Sequence, residues 1–301
     1  MRVAVTGATG FLGRYIVNEL LGQGYECRCW YRPGHSDREG FYETEQSRID
    51  WIHGDLGDHA SMHSLVKGAD AVVHAALSRP GAGFMGAEGE LIGFVETNLV
   101  GTLRLIREAV DCGVSRFIFI STCAVHDVIL DDRPLDETHP LWPKSHYGAH
   151  KAAIEKFVHS FGFGEGYPIC ALRPTGIYGI ARPVEKSKWF RLVQDVKAGK
   201  PIDSAAGGKE VHAADVARAV SILLRAPDIA GQSYNCYDMY ISDEHVAGIA
   251  KRLSHSNSEI SRRNKGPKHQ IVTDKLRELG MTFGGEELLE RTVAEMLRCS
   301  G

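Results

Sequence analysis

The chain lacks any long apolar run: no stretch approaches the ~20 consecutive apolar residues that a membrane span needs. It also lacks an excess of either charge, with 24% charged residues and a formal net charge of -3, which leaves no basic face for nucleic acid and no polyacidic tail. Cysteine is sparse, seven residues with no C-x-x-C spacing, and an odd number in no framework pattern suits a reducing compartment. Cys27 and Cys29 stand two apart in an apolar run, where they share one face of a strand and pack rather than bind metal. No secretory leader fits ahead of the apolar run that starts at Arg2, so the expected location is cytoplasmic, with neither nucleic acid nor membrane as a partner. Repeats and low-complexity tracts are absent too. What remains is the profile of a small-molecule enzyme, and 301 residues suffice for one domain with an appendage or for two lobes.

Glycine, by contrast, is plentiful, and three glycines have a definite spacing. Gly7, Gly10 and Gly13 lie in Thr6-Gly7-Ala8-Thr9-Gly10-Phe11-Leu12-Gly13, after Val3-Ala4-Val5 and before the helix-like Tyr15 to Leu21. A strand, a glycine turn and a helix N-terminus let backbone approach a pyrophosphate and aim free N–H groups and the helix dipole at its charge. A dinucleotide is the expected ligand.

Short apolar runs then alternate with amphipathic ones. Strands are expected at Val3–Val5, Glu26–Tyr31, Ile49–His53, Ala71–His74, Phe117–Ile120 and Ile169–Leu172, with helices at Ala60–Val66, Leu91–Val110 and Tyr147–Phe161. That order implies an α/β fold, a doubly wound parallel sheet of Rossmann type. After Arg173-Pro174 helices are expected at Val184–Val196, Asp215–Leu224, Asp243–Leu253 and Glu286–Leu297, with an exposed polar loop over Ser254–Lys268. The expected division is a dinucleotide-binding domain over 1–173, also receiving 206–236, and a smaller, mainly helical substrate lobe in the remainder of 174–301. Substrate is expected between the lobes. Glycines and a proline between Ser78 and Gly89 mark a candidate lid, placed after the fourth strand where loops overhang ligands.

An NAD site usually has an acid about twenty residues beyond the glycines, holding the adenosine ribose. Here that place reads Trp30-Tyr31-Arg32. A guanidinium gives forked bonds to a ribose phosphate, so NADP is the preferred cofactor and NAD the alternative. Asp55 follows the third strand and is a candidate acceptor for the adenine amino group, or a helix cap.

Tyr147 and Lys151 are four apart and project from one face of the expected helix. A nearby ammonium favours the phenolate of a tyrosine whose ordinary pKa is about 10, and proton exchange by such a phenol is acid/base chemistry. Ser121-Thr122 ends the fifth strand and supplies a hydroxyl to orient a substrate oxygen; a nicotinamide would supply the hydride.

Together the glycine motif, Tyr147/Lys151, Ser121-Thr122, Val73-His74-Ala75-Ala76, Asn98-Leu99-Val100-Gly101-Thr102 and Leu172-Arg173-Pro174 resemble the extended short-chain dehydrogenase/reductases, the NAD(P)-dependent epimerase/dehydratase family. Val211-His212-Ala213-Ala214-Asp215-Val216 and Asp274-Lys275-Leu276 with Leu279-Gly280 extend the resemblance toward the C-terminus. It implies Tyr147 as acid/base, Lys151 as its activator, Thr122 as ligand of the substrate hydroxyl and Asn98 in support. It implies cofactor contacts at Gly7, Thr9, Gly10, Phe11, Leu12, Gly13, Arg32, Asp55, Leu56, Ala75, Lys151 and Arg173, and substrate contacts at Thr122, Cys123, Tyr147 and Thr175. It also implies a homodimer joined through the Leu91–Val110 and Tyr147–Phe161 helices. The function implied is hydride transfer between nicotinamide and a secondary alcohol or ketone of a small polar or sugar-like molecule. Epimerisation with tightly held cofactor is the alternative, and a non-catalytic NADP(H) sensor is the alternative of another class.

Departures from the family pattern narrow this. Thr122 is followed by Cys123 and Ala124 rather than the acids that perform eliminations. Gly176 and Gly208 stand where nucleotide-sugar enzymes place an asparagine and an arginine for the diphosphate, although Lys209, Arg182 and Lys186 are close in sequence. His59 and His63 with Asp55 and Asp58 read as a solvated helix face, His74 as packing behind its strand, and His126 and His146 as weaker substrate-contact candidates. No metal is expected.

Overall fold

The computed structural model describes residues 1–32, 41, 47–79, 89–263 and 266–299. In chain order its strands are β1 (Arg2–Thr6), β2 (Glu26–Tyr31), β3 (Ile49–His53), β4 (Ala71–His74), β5 (Arg116–Ile120), β6 (Ile169–Pro174), β7 (Gly176–Tyr178), β8 (Gly207–His212), β9 (Gln232–Cys236) and β10 (Met239–Ser242). Its helices are α1 (Phe11–Gly22), α2 (His59–Val66), α3 (Leu91–Val95), α4 (Gly101–Asp111), α5 (His146–His159), α6 (Phe190–Lys197), α7 (Ala213–Leu223), α8 (Asp243–Ser254), α9 (Asp274–Glu278) and α10 (Gly285–Arg298).

Two compact units result. The first comprises Met1–Pro174, Val216–Cys236 and Val272–Met281, and the second Thr175–Asp215, Tyr237–Ile271 and the chain from Thr282. The returning segment is thus shorter than 206–236, since 206–215 stays with the second unit. A further stretch joins the first because α9 buries Leu276 completely and Lys275 Nζ donates to Gln232 Oε1 and Ser233 O of β9 at 2.6 and 3.0 Å.

The first unit is built on a parallel sheet of order β3-β2-β1-β4-β5-β6-β9. Its central strands are buried along nearly their whole length, the pattern of strands covered on both faces. The seventh strand, β9, was not anticipated because Gln232-Ser233-Tyr234-Asn235-Cys236 is half polar; those polar groups are satisfied inside, Ser233 Oγ donating to Glu155 and Asn235 Nδ2 to Val272 O. The expected Leu91–Val110 helix is interrupted by a π turn over Glu96–Val100, and α5 passes into another over Ser160–Gly164. The candidate lid falls largely at 80–88, outside the described residues.

The second unit is mainly helical as expected, in α6, α8 and α10, with one addition. It contains a three-stranded sheet, β10-β8-β7, with β8 antiparallel to β10 and parallel to β7. Glycines and charges in Gly207-Gly208-Lys209-Glu210 and Gly176 hid these strands from an apolar-pattern reading. Helices α6, α8 and α10 enclose a core of Tyr178, Phe190, Val193, Val246, Leu289 and Val293. The helix expected over Val184–Val196 is a 3₁₀ turn (Val184–Lys186) followed by α6. Trp189, at φ 69, breaks it; its Nε1 donates to Asp243 at 3.1 Å and its ring meets Tyr178, so tertiary contacts hold a left-handed residue that helix propensity opposes. Nor is 254–263 merely exposed: Ser258 is fully buried, and Ile202 bonds across to Glu259 and Ser261.

Candidate active site

The glycine turn is shaped by close approach. Gly7 has φ 71, and a Cβ there would lie 2.9 Å from the Ala75 and Ala76 backbone; one on Gly13 would lie 2.0 Å from Gly7 O. Gly10 caps α1 without a side-chain bond, leaving the first helical N–H groups to an anion. Thr9 O is held by Arg14 Nε at 3.1 Å, and Phe11 packs edge-on against Tyr15. These features fit a dinucleotide pyrophosphate.

Beside the turn runs a chain of hydrogen bonds. Thr102 Oγ1 donates to Asn98 O at 2.6 Å, so its contact with His74 Nε2 at 2.8 Å is one in which the imidazole donates. His74 Nδ1 then accepts from Thr6 Oγ1 at 2.7 Å, and that oxygen accepts from the Ala75 and Ala76 N–H groups. This assignment makes His74 neutral. Burial, reinforced by Lys151 and His150, pushes its pKa down to about 3. The residue is therefore a polar connector that pins the Ala75-Ala76 backbone. Asn98, in the π turn and 2% exposed, clamps Ser78 from both sides, accepting from its N–H at 2.7 Å and donating to its O at 2.8 Å.

At the head of α5, Ser145 caps the helix by accepting from Gly148 N at 3.0 Å, which fixes the first turn, where Tyr147 is the second residue. The Thr122 side chain stands close enough to the Tyr147 hydroxyl to act on its titration. Thr122 also accepts from Ala124 N at 3.1 Å. Burial raises the phenol pKa, opposed by Thr122 and by the positive charge of Arg79. Lys151 is differently engaged than expected. Its Nζ donates to Ile120 O at 2.7 Å and lies over the Phe119 ring, and burial pushes its pKa down to about 7. The positive charge of Arg79 also lowers the phenol pKa, a contribution that sequence reasoning missed; its one signal was a place at the start of the loop after β4.

Other expected residues are placed as follows. Arg173 is corrected from a cofactor contact to an internal ion pair: its guanidinium, 2% exposed, bonds both oxygens of Glu155, which is fully buried and also accepts from Ser121 Oγ. Cys123 Sγ turns to Arg173 O at 3.0 Å, and burial pushes the thiol up to about 12, which leaves it inert. Arg32 follows the end of β2 on an exposed backbone position. Asp55 accepts from Gly57 N at 2.8 Å, whereas the cap of α2 is Asp58. Leu56 is buried, its O against Gly101. His126 is buried against Pro140 O and Arg173, and His146 opens α5.

The model of the NAD dependent epimerase/dehydratase family matches residues 3–236. The chain belongs to this family. It is an NAD(P)-dependent enzyme of the extended short-chain dehydrogenase/reductase type. The low-salt glycan biosynthesis protein Agl12 of Haloferax volcanii is 30% identical over 245 residues, 78% of this chain and 76% of that protein. A 3-beta-hydroxysteroid dehydrogenase of Mycolicibacterium neoaurum is 27% identical over 66% of this chain and 52% of its own length. The dTDP-glucose 4,6-dehydratase DesIV of Streptomyces venezuelae, solved with NAD and TYD bound, superposes with a TM-score of 0.76 at 25% identity, covering 99% of this chain and 97% of that one. Among the described residues no helix is long and apolar enough to cross a membrane.

Within the second unit this family member carries an unusual set of polar groups. Glu210, 3% exposed, directs its carboxylate into the space beside two glycines: a Cβ on Gly176 or on Gly208 would lie 2.5 Å from its oxygens. Lys188 Nζ bonds Oε1 at 2.5 Å, while Oε2 has no partner. Thr175 Oγ1 and the Tyr178 hydroxyl are also buried without one. Burial raises the Glu210 pKa against the pull of Lys188.

Proposed function

We propose that this enzyme transfers a hydride between nicotinamide and a secondary alcohol or ketone of a small polar or sugar-like molecule that carries no nucleoside diphosphate. The placement of the Tyr147 hydroxyl beside Thr122 at the head of α5 supports this reading most directly. A nicotinamide dinucleotide on the glycine turn supplies the hydride chemistry. Thr122 orients the substrate oxygen and Tyr147 exchanges its proton; a phenol held neutral by burial is set to donate to a ketone, and oxidation of the alcohol gains from rising pH as the phenol ionises. Lys151 is the candidate for holding the nicotinamide ribose. Cys123-Ala124 after Thr122 offers no carboxylate for elimination.

NADP is the proposed preference, on Arg32 and the absence of an acid at Trp30-Tyr31. The reading without a diphosphate rests on Gly176 and Gly208, which bring no side-chain donor, and on the Glu210 carboxylate beside them, which already engages the Lys188 ammonium. Epimerisation with retained cofactor is the second reading, favoured by the family match itself. A homodimer is also proposed, because Leu91, Ile92 and Phe157 are exposed on α3 and α5 with Phe163 in the turn after it. The deciding experiment is a panel of alcohols, aldoses and uronates assayed for absorbance change with NADP and with NAD. Net cofactor turnover supports the oxidoreductase, and substrate interconversion without it supports the epimerase.

A further inference from the structure

Helices α2 and α4 bring together three side chains that the reaction does not use. His63 lies in the last turn of α2, and Glu108 and Cys112 lie one turn apart at the end of α4. His63 Nδ1 is 2.7 Å from Glu108 Oε1, and Cys112 Sγ is 3.6 Å from each of those atoms. An imidazole, a carboxylate and a thiol are a zinc-type donor set. With Zn–S of about 2.3 Å and Zn–N or Zn–O of about 2.0–2.1 Å, tetrahedral geometry separates sulfur from nitrogen or oxygen by about 3.5 Å and nitrogen from oxygen by about 3.3 Å. Two of the three edges therefore exist already. The third is closed by a His63–Glu108 hydrogen bond, and a cation taking the place of its proton would part the pair by about 0.6 Å.

The surroundings permit that movement. The His63 and Glu108 side chains are 52% and 32% exposed, so both turn without repacking a core and a fourth position stays open to water. Cys112 is the fixed member, since its N–H closes α4 on Glu108 O at 2.9 Å. Its thiol is held protonated by partial burial and by Glu108 and Asp111, against Lys67; a doubly charged ion reverses that balance. The spacing gave no motif, because 45 residues separate His63 from Glu108 and 49 separate it from Cys112.

We propose that His63, Glu108 and Cys112 form a zinc(II) site, with water as the fourth ligand, that ties α2 to α4. Binding releases the Cys112 proton to solvent and leaves a zinc–thiolate bond; nothing is oxidised or reduced.

The test uses the full chain stripped with a chelator. One equivalent of cobalt(II), as spectroscopic probe, should give the intense visible bands of tetrahedral cobalt together with a sulfur-to-cobalt charge-transfer band. Zinc should displace cobalt stoichiometrically and raise the melting temperature. Cys112→Ser should abolish the charge-transfer band, and His63→Ala should weaken zinc binding at least tenfold in calorimetry. Both variants should keep the metal-free protein's circular dichroism and its affinity for NADP. Weak octahedral cobalt spectra, a charge-transfer band that survives Cys112→Ser, or equal zinc affinity in the wild type and His63→Ala would each overturn the assignment. A metal ion held by other histidines or cysteines would give the last two outcomes.

Discussion

In the first unit the residues assigned to the reaction stand at strand ends and helix starts that hydrogen bonds hold from several sides. Thr6, His74, Thr102 and Asn98 fix the backbone at Ala75, Ala76 and Ser78, and Ser145 fixes the start of α5. Buried atoms without a partner occur in both units, Asn18, Tyr167 and Asn235 among those of the first, but in the second they are Thr175, Tyr178 and Glu210, on the strands that carry Gly176 and Gly208 or next to them. The contrast separates two tasks. Proton and hydride transfer need a rigid frame that serves any secondary alcohol, whereas acceptors that the protein leaves unpartnered are open to a ligand's donors.

The comparison is tested most severely at the buried ion pair of the first unit. Arg173→Ala leaves Glu155 as an unpaired internal charge and should lower stability by about 3–5 kcal/mol in denaturant melts. Cofactor affinity of the folded fraction should be unchanged; a specific loss of NADP binding would return Arg173 to the cofactor site. Next in size, Tyr147→Phe should reduce turnover about a hundredfold or more while sparing cofactor binding, the scale of a lost acid/base. Near wild-type rates in steady-state assays would remove Tyr147 from the chemistry. Lys151→Ala should lower both binding and rate.

Arg32→Ala should weaken NADP binding by about 1–3 kcal/mol and leave NAD nearly unaffected, as for a bond to a charged phosphate. Titration at one ionic strength decides it, equal losses for both cofactors counting against a phosphate contact. Acid should then loosen the same unit. His74, His150 and His126 have pKa values of about 3, 3 and 4 through burial, below the ordinary value of about 6.5. The unfolded chain therefore binds protons between pH ~6.5 and ~4 that the native protein refuses, and stability present above that window falls on acidification by about 1.4 kcal/mol per pH unit for each histidine. Flat melting temperatures from pH 7 to pH 5 would contradict this burial. The smallest expected signal belongs to the second unit: calorimetry with UDP, dTDP and GDP sugars in the presence of NADP should show no micromolar binding. Turnover of any of them would make a nucleotide-sugar epimerase the better reading.

Much of the first unit was legible because its cues are local. Apolar runs marked six of the seven strands of the sheet, and the glycine turn marked the start of α1. Tyr147 and Thr122 were visible as residue types at a helical spacing and a strand end, and Thr122 acts on the titration of Tyr147. What escaped depends on partners distant in sequence. β9 is polar because Glu155 and Val272 satisfy it, Trp189 bends the chain because Asp243 holds its ring, and Arg173 looked available until Glu155 was placed beside it. The contribution of Arg79 to the phenol's electrostatics follows from a loop whose course no periodicity encodes.

The π turn at Glu96–Val100 has an evolutionary consequence. It accommodates one residue more than an α-helical path would, so α3 and α4 are phased about 100° apart from a single continuous helix. Apart from Asn98, substitutions here preserve the path so long as that extra residue persists, but a one-codon deletion would rotate Asn98 away from Ser78 and slacken the strand-end loop in one step. Among descendants of this chain, length at this place should be guarded as strictly as the identity of Asn98.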